Sequence, residues 1–367
     1  MNSLIERDAQ LEQLSSELEK LKTHAGVVAV DTEFLREKTY NAKLCLVQLA
    51  IGEHQYCVDV LALEDLTWLR DLMVAPNVTK IFHAARQDIE VLYQTLGVIP
   101  KPIFDTQLAA AFCGGDLQQG YGGMVDERLD IQLAKSQSRT DWSRRPLSEE
   151  QIKYAGEDVA YLRTLYEMTL AELDEFGRLG WYEDELETYY DLDKYEMDPA
   201  TAWQRLSGGQ LKLTQQYSLR ALAEWREQTA QQRNIPRNWV IRDDKLYDLV
   251  HKQPKSVKEI LELAVFGRKS ASYLAPQALA VMSQVETSDS LIWRKVEPLT
   301  KKEKSLCSAA MGELKDIAER LGIAQGLLAT RKDIEYLFRH RQSKRLLGGW
   351  REANVGRPLL EFIRAQE

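Results

Sequence analysis

The sequence predicts an α/β domain, a mixed sheet flanked by helices, followed by two small all-helical domains. Three observations lead there. In the first 200 residues, short runs rich in Val, Ile and Leu alternate with helical stretches. Strand hairpins come first and strand–helix units afterwards, the order expected of a mixed sheet covered by helices. From about Thr201 strand-like runs thin out, basic helical segments dominate, and a pattern recurs at an offset of 88 residues.

Taken in order, Leu11, Leu14, Leu18 and Leu21 recur at helical spacing and predict an amphipathic helix ahead of the fold proper. Residues 27–30, 44–51 and 56–60 read as strands, with Gly52 suited to a hairpin turn between the second and third. Residues 80–83 read as a strand running into a helix over 86–96, and residues 103–104 repeat the pattern with a helix over 105–112. A glycine-rich loop follows (Gly114, Gly115, Gly120, Gly122, Gly123), and the chain then becomes largely helical, with one helix carrying residues 154–162. In the second half Ala230, Ile235, Val240, Leu246 and Leu249 align with Ala318, Ile323, Leu328, Ile334 and Leu337 without a gap. Apolar register is kept while surface residues diverge, so domains over 1–200, 203–288 and 289–367 are expected.

At 367 residues the chain is long for one hydrophobic core. No run of about 18 uncharged apolar residues is present, so no membrane association is expected. The N-terminal stretch lacks the basic and apolar regions of a secretory signal. Cys45, Cys57, Cys113 and Cys307 are scattered, which points to the reducing cytoplasm. Net charge is −8, but it is unevenly spread. Residues 1–200 hold 19 Lys/Arg against 37 Asp/Glu; residues 201–367 hold 29 against 19. An acidic half joined to a basic half suggests a metal-carrying domain beside one that binds a polyanion.

The chemistry starts at Asp31-Thr32-Glu33, at the end of the run VVAVDTEF. Strand geometry puts Asp31 and Glu33 on one face and Thr32 on the other. Two carboxylates side by side repel, and a divalent cation with hard oxygen preference, Mg²⁺ or Mn²⁺, removes that cost. Two solvated acids at an exposed strand end would read the same way. Asp88 follows at a strand-to-helix junction, where it also suits the first turn of a helix. Tyr154 and Asp158, four apart, share one face of a helical turn.

Together, Asp-x-Glu, a later Asp and then Tyr-x3-Asp resemble the DEDDy 3′→5′ exonucleases. The stretches VDTEF, LCLVQLA, KIFHAARQD, FDTQLAAAFCG and SRTDWSRRPLSEEQIKYAGEDVAYL narrow the resemblance to the ribonuclease D family. The repeated basic unit resembles the helicase-and-RNase-D C-terminal (HRDC) domain, of which that family carries two. The resemblance implies a ribonuclease H-like sheet and two bound Mg²⁺ or Mn²⁺ ions. It implies that Asp31 bridges both ions, Glu33 and Asp158 complete the first site, Asp88 supports the second through water, and Tyr154 orients the attacking water. It further implies a 3′→5′ exoribonuclease that releases nucleoside 5′-monophosphates from tRNA precursors and other small structured RNAs. A DNA exonuclease of the same superfamily and a catalytically silent RNA-binding factor are the competing readings.

Thr32, Phe34, His83, Arg139 and Arg145 are candidate substrate contacts. Phe34 reads better as a core residue, while His83 reads equally as a hydrogen-bonded strand-end histidine and the two arginines equally as surface ion-pair partners. Asp105 reads better as a cap at a helix start than as a fifth catalytic acid. Trp225, Trp239, Trp293 and Trp350 read better as packing anchors than as stacking platforms. The second repeat departs from the first at Leu314, where the first has Arg226, and at Ala324, where it has Pro236. A monomer is expected.

Overall fold

A computed structural model describes residues 2–24, 26–134, 137, 140–293 and 297–366. The β-rich first half forms one six-stranded sheet in the order β1-β4-β3-β2-β5-β6. Its strands are β1 (Asn2–Ile5), β2 (Gly26–Leu35), β3 (Lys43–Ile51), β4 (His54–Val58), β5 (Val78–Phe82) and β6 (Ile103–Asp105). β3 and β4 pair antiparallel through a two-residue turn, with Gly52 at φ 57°, a left-handed conformation that glycine adopts without steric cost. β5 pairs parallel with both β2 and β6, and β1 pairs parallel with β4. The sheet is therefore mixed, as the strand pattern predicted. β1 was not foreseen: four residues with only Leu4 and Ile5 apolar carry too little periodicity, and the pairing of Ile5 with Val58 defines the strand.

Parallel pairs need crossover helices, and these supply the rest of the layer. Between β1 and β2 runs α1 (Leu11–His24), with Leu14 and Leu18 buried. Before β5 comes α2 (Thr67–Val74); after it, α3 (Arg86–Leu96). Beyond β6 lie α4 (Thr106–Phe112), α5 (Tyr121–Leu129), α6 (Glu149–Ala160), α7 (Leu162–Glu175) and α8 (Leu179–Leu186). α6 packs on β4, β2 and β1, and α7 on β2 and β5. The core strands carry Val28, Val30, Leu46, Val47 and Leu49 fully buried, each contributing about 1.5–3 kcal/mol through removal of apolar surface from water.

Two local expectations are corrected. The glycine-rich loop ends at Gly120, and Gly122 and Gly123 lie within α5. The helix expected to run from Tyr154 through Leu162 is broken at Tyr161, which separates α6 from α7. In a continuous helix the Tyr161 N–H would bond to the Glu157 carbonyl. Here the Tyr121 hydroxyl stands between them, accepting from Tyr161 N–H at 3.1 Å and donating to Glu157 O at 3.0 Å. A side chain inserted into the ladder breaks or kinks a helix at that point.

The basic half is helical: α9 (Leu213–Gln232), α10 (Arg237–Val240), α11 (Asp243–Lys252), α12 (Val257–Glu262) and α13 (Ala271–Ser283), then α14 (Lys301–Leu321), α15 (Gln325–Leu328), α16 (Arg331–His340) and α17 (Arg357–Ala365). The chain divides into two compact units. One holds residues 1–35, 44–191 and 299–367; the other holds 36–43 and 192–298. The last helical segment thus belongs to the same unit as the sheet. Among the described residues no helix is long and apolar enough to cross a membrane.

Candidate active site

β2 delivers Asp31 and Glu33, and α6 delivers Tyr154 and Asp158. The start of α6 is fixed by a capping box in which Ser148 Oγ accepts from Gln151 N–H and Gln151 Oε1 accepts from Ser148 N–H. This sets the rotation of the helix one turn before Tyr154. Packing of α6 across β2 then brings one oxygen from each of Asp31, Glu33 and Asp158 within 4.8 Å of the others. Among the described residues, theirs is the one group of three or more His, Cys, Asp or Glu side chains so arranged. The Tyr154 hydroxyl lies close enough to the Asp158 carboxylate for each to shift the other's acidity, and its ring packs near Trp142, with centroids 6.2 Å apart.

Asp88 enters from the first turn of α3 and is 7% exposed. It stands outside the group of three but close enough to act on it electrostatically. Thr32, on the opposite face of β2 from the two acids, donates its hydroxyl to Asp88 Oδ1 at 2.5 Å. The side chain that the sequence offered as a substrate contact is therefore engaged with a carboxylate. The parallel pairing of β2 with β5 explains why, since it sets the helix following β5 beside β2.

Burial is the main force on all four acids. It raises Asp31 well above the usual carboxylate range, with further elevation from Asp88, Asp158 and Glu33. Glu33 is pushed up to about 9 by burial, then by Asp158 and Asp88. Burial likewise brings Asp88 and Asp158 to about 7, against the opposing hydrogen bonds from Thr32 and Tyr154. Carboxyls so placed hold protons until a cation takes their place. The donor set is oxygen only and convergent, and it fits a hard divalent ion such as Mg²⁺ or Mn²⁺. Tyr154 is itself raised, first by burial and then by Asp158, so its hydroxyl stays protonated at neutral pH.

The remaining candidates fall outside this cluster. Phe34 is half-buried on β2 beside Glu33. His83 has both ring nitrogens engaged: Nε2 lies 2.8 Å from the Gln119 carbonyl and Nδ1 2.9 Å from the Thr106 hydroxyl. Burial lowers its pKa and keeps it neutral. Arg145 binds buried Asp59 and the carbonyls of Cys45 and Trp142, a structural bridge across β3 and the loop after β4. Arg139 lies outside the described residues. Sequence reasoning missed Tyr121, because a hydroxyl that interrupts a distant helix leaves no periodic trace.

A mixed sheet whose second strand and sixth helix converge three carboxylates, with a tyrosine one helical turn before the last of them, has the make-up of a metal-supported nuclease. A family of 3′-5′ exonuclease domains matches residues 2–174, and the HRDC domain family matches residues 215–281. The chain is 38% identical to ribonuclease D of Jannaschia sp., covering 92% of this chain and 90% of that one. It is 34% identical to ribonuclease D of Bartonella henselae, covering 94% and 86%. The crystal structure of Escherichia coli RNase D, described as an exoribonuclease involved in structured RNA processing, superposes with a TM-score of 0.88 at 30% identity, covering 100% of this chain and 99% of that one. The chain belongs to the ribonuclease D family, and it is a 3′→5′ exoribonuclease.

Proposed function

We propose that this enzyme trims the 3′ ends of tRNA precursors and other small structured RNAs, releasing nucleoside 5′-monophosphates with the help of two Mg²⁺ or Mn²⁺ ions. The observation that carries the reading is the convergence of one oxygen each from Asp31, Glu33 and Asp158 within 4.8 Å, with Tyr154 one helical turn before Asp158. When bound, a pair of divalent cations stabilises the entering and leaving oxygens of phosphodiester hydrolysis and lowers the pKa of water. Asp31 would face both ions, Glu33 and Asp158 would complete the first site, and Asp88 would support the second. Tyr154, protonated, is a hydrogen-bond donor and acceptor rather than a base, and it orients the attacking water. Thr32 fixes the rotamer of Asp88. Phe34, His83, Arg139 and Arg145 keep only the status of candidate contacts, with His83 and Arg145 better explained by their internal partners.

The substrate follows from the structured-RNA role of the Escherichia coli relative and from the basic character of the second half. Lysines and arginines there would neutralise phosphates without reading sequence, so recognition would follow shape and weaken with salt. Residues 203–288 serve as the first HRDC-type domain, and residues 289–367 as a second, diverged one. The latter reading is supported by helices that begin 88 residues after those of the first. A cytoplasmic monomer is proposed as the working state, to be checked by light scattering.

The test is digestion of a 5′-labelled tRNA bearing a short 3′ extension, with Mg²⁺, Mn²⁺ or EDTA, beside a matched single-stranded DNA. A metal-dependent one-nucleotide ladder favouring RNA is expected. Asp31→Asn should lower turnover by about a thousandfold or more, the several kcal/mol that metal stabilisation supplies, while RNA affinity holds. Near-normal turnover by that variant would sink the metal assignment.

A further inference from the structure

Asp105 has more to do than a helix cap requires. It ends β6, is 1% exposed, and sits opposite Phe82 of β5 in the parallel register. As the residue before α4 its Oδ1 accepts from the Gln107 and Leu108 N–H groups at 2.9 and 3.2 Å, which is ordinary capping. Yet the same oxygen also accepts from Ala84 N–H at 3.0 Å, and Oδ2 accepts from Ala85 N–H at 3.0 Å. The Tyr189 hydroxyl donates to Oδ2 at 3.3 Å, and the Asp105 N–H donates to the Tyr182 hydroxyl at 2.8 Å. One carboxylate therefore ties together the start of α4, the residues just after α8 and the two residues that lead into α3.

Those two residues matter because Asp88 follows three positions after Ala85. Ala84 is held at φ 60°, a left-handed conformation that costs a non-glycine residue about 1–2 kcal/mol and persists only when its surroundings enforce it. Ala85, the residue before α3, offers no capping side chain. The direction in which α3 leaves β5, and with it the place of Asp88, is set by what grips residues 84 and 85. A serine or asparagine would cap α4 as well as aspartate does. Neither offers two carboxylate oxygens. The second grip accounts for aspartate here, since Oδ1 holds the Ala84 N–H and Oδ2 the Ala85 N–H.

We infer that Asp105 is a positioning residue of the hydrolytic site, a two-sided clamp that aims Asp88 by fixing the Ala84–Ala85 backbone. The inference rests on the reading of Asp88 as a carboxylate that supports a bound cation.

The experiment uses the full-length protein with three single variants, Asp88→Asn, Asp105→Asn and Asp105→Ser, and the double variant Asp88→Asn with Asp105→Ser. Asp105→Ser keeps a cap for α4, so the fold is preserved while the second oxygen is lost. Two measurements are made: Mn²⁺ binding to RNA-free protein by titration calorimetry, and steady-state kinetics (kcat and KM) on a short single-stranded RNA. Asp105→Ser should weaken Mn²⁺ binding and lower kcat by about 10-fold, the low end for losing a residue that orients a metal-supporting group, with KM unchanged. The double variant should fall no more than about twofold below Asp88→Asn, because the clamp acts through that residue. Asp105→Ser with parental Mn²⁺ binding and kcat, beside a damaged Asp88→Asn, would overturn the clamp alone. Fully additive losses in the double variant would do the same. An Asp88→Asn protein indistinguishable from the parent would overturn both the clamp and the reading on which it rests.

Discussion

The two helical repeats share a backbone plan and differ in what they hold. α14, α15 and α16 begin 88 residues after α9, α10 and α11, and the left-handed residues Asn234 and Gln253 recur as Gly322 and Arg341 at the same offset. Buried Leu246 and Leu249 recur as Ile334 and Leu337. The long first helix then diverges. α9 buries Gln216, Arg226, Glu227 and Thr229, and most of these grip other segments of their own unit. Gln216 Oε1 accepts from the N–H groups of Ile292 and Trp293; Glu227 accepts from the Tyr40 hydroxyl; Arg226 reaches the Ile241 carbonyl and Asp243. α14 has the apolar Leu314 and Ile317 where α9 has Arg226 and Thr229.

The second repeat takes its buried arginine from elsewhere. Arg351, 5% exposed, donates to the Leu327 and Leu328 carbonyls and pairs with Glu185 of α8. Next to it Trp350 stacks on Trp181, with centroids 5.1 Å apart, and its backbone N–H donates to Asp184. At the position of Trp239, 56% exposed in the first repeat, the second has Leu327, 4% exposed. A face left open in one copy is closed in the other. The repeat register survives because apolar packing fixes it; the polar interior changes with the segments each copy must hold.

That contrast can be broken most sharply at Arg351. Arg351→Ala leaves Glu185 and two carbonyls unpaired in a buried place, and should cost about 3–5 kcal/mol in urea unfolding of the intact chain. A loss under about 1 kcal/mol would mean that the second repeat is not a brace for the sheet-bearing unit. A smaller effect is expected from copying the second repeat into the first. Arg226→Leu should fall within about 1 kcal/mol of the parent, since an apolar side chain of fitting volume often replaces a buried charge without loss. Arg226→Ala should cost about 2–3 kcal/mol, because it leaves a void as well. Equal losses from both would show that the charge, and not the packing, is what position 226 needs.

A separate expected effect is a pH dependence that belongs to the carboxylate site and not to either repeat. In the folded, metal-free protein Asp88 and Asp158 titrate near 7, Glu33 near 9 and Asp31 well above the usual carboxylate range, whereas in the unfolded chain all four titrate near 4. Between these values the folded state holds protons that the unfolded state releases, so stability falls as pH rises from about 4 to about 7. In EDTA the Tm should therefore be higher at pH 5 than at pH 7. Excess Mg²⁺ should offset the fall by displacing the protons, and Asp31→Asn should flatten it. A slope unchanged in Asp31→Asn would assign the effect to other groups.

Periodicity made much of this molecule legible. The apolar runs rich in Val, Ile or Leu marked strands β2 to β6, Asp-x-Glu placed two acids on one strand face, and Tyr-x3-Asp placed the tyrosine and its carboxylate on one helical turn. The offset of 88 residues marked equivalent helices to the residue. These features are local, or follow from chain register, and a sequence carries them directly.

Tertiary structure alone decided the rest. It turned Thr32 onto Asp88, set the Tyr121 hydroxyl into the break between α6 and α7, joined Asp105 to the backbone before α3, and packed the second repeat against α8 through Arg351 and Glu185. Each of these is a hydrogen bond or ion pair between residues far apart in the chain. Its partner is chosen by which strand ends and loops the packing of the core brings together, and no repeat in the sequence encodes that choice.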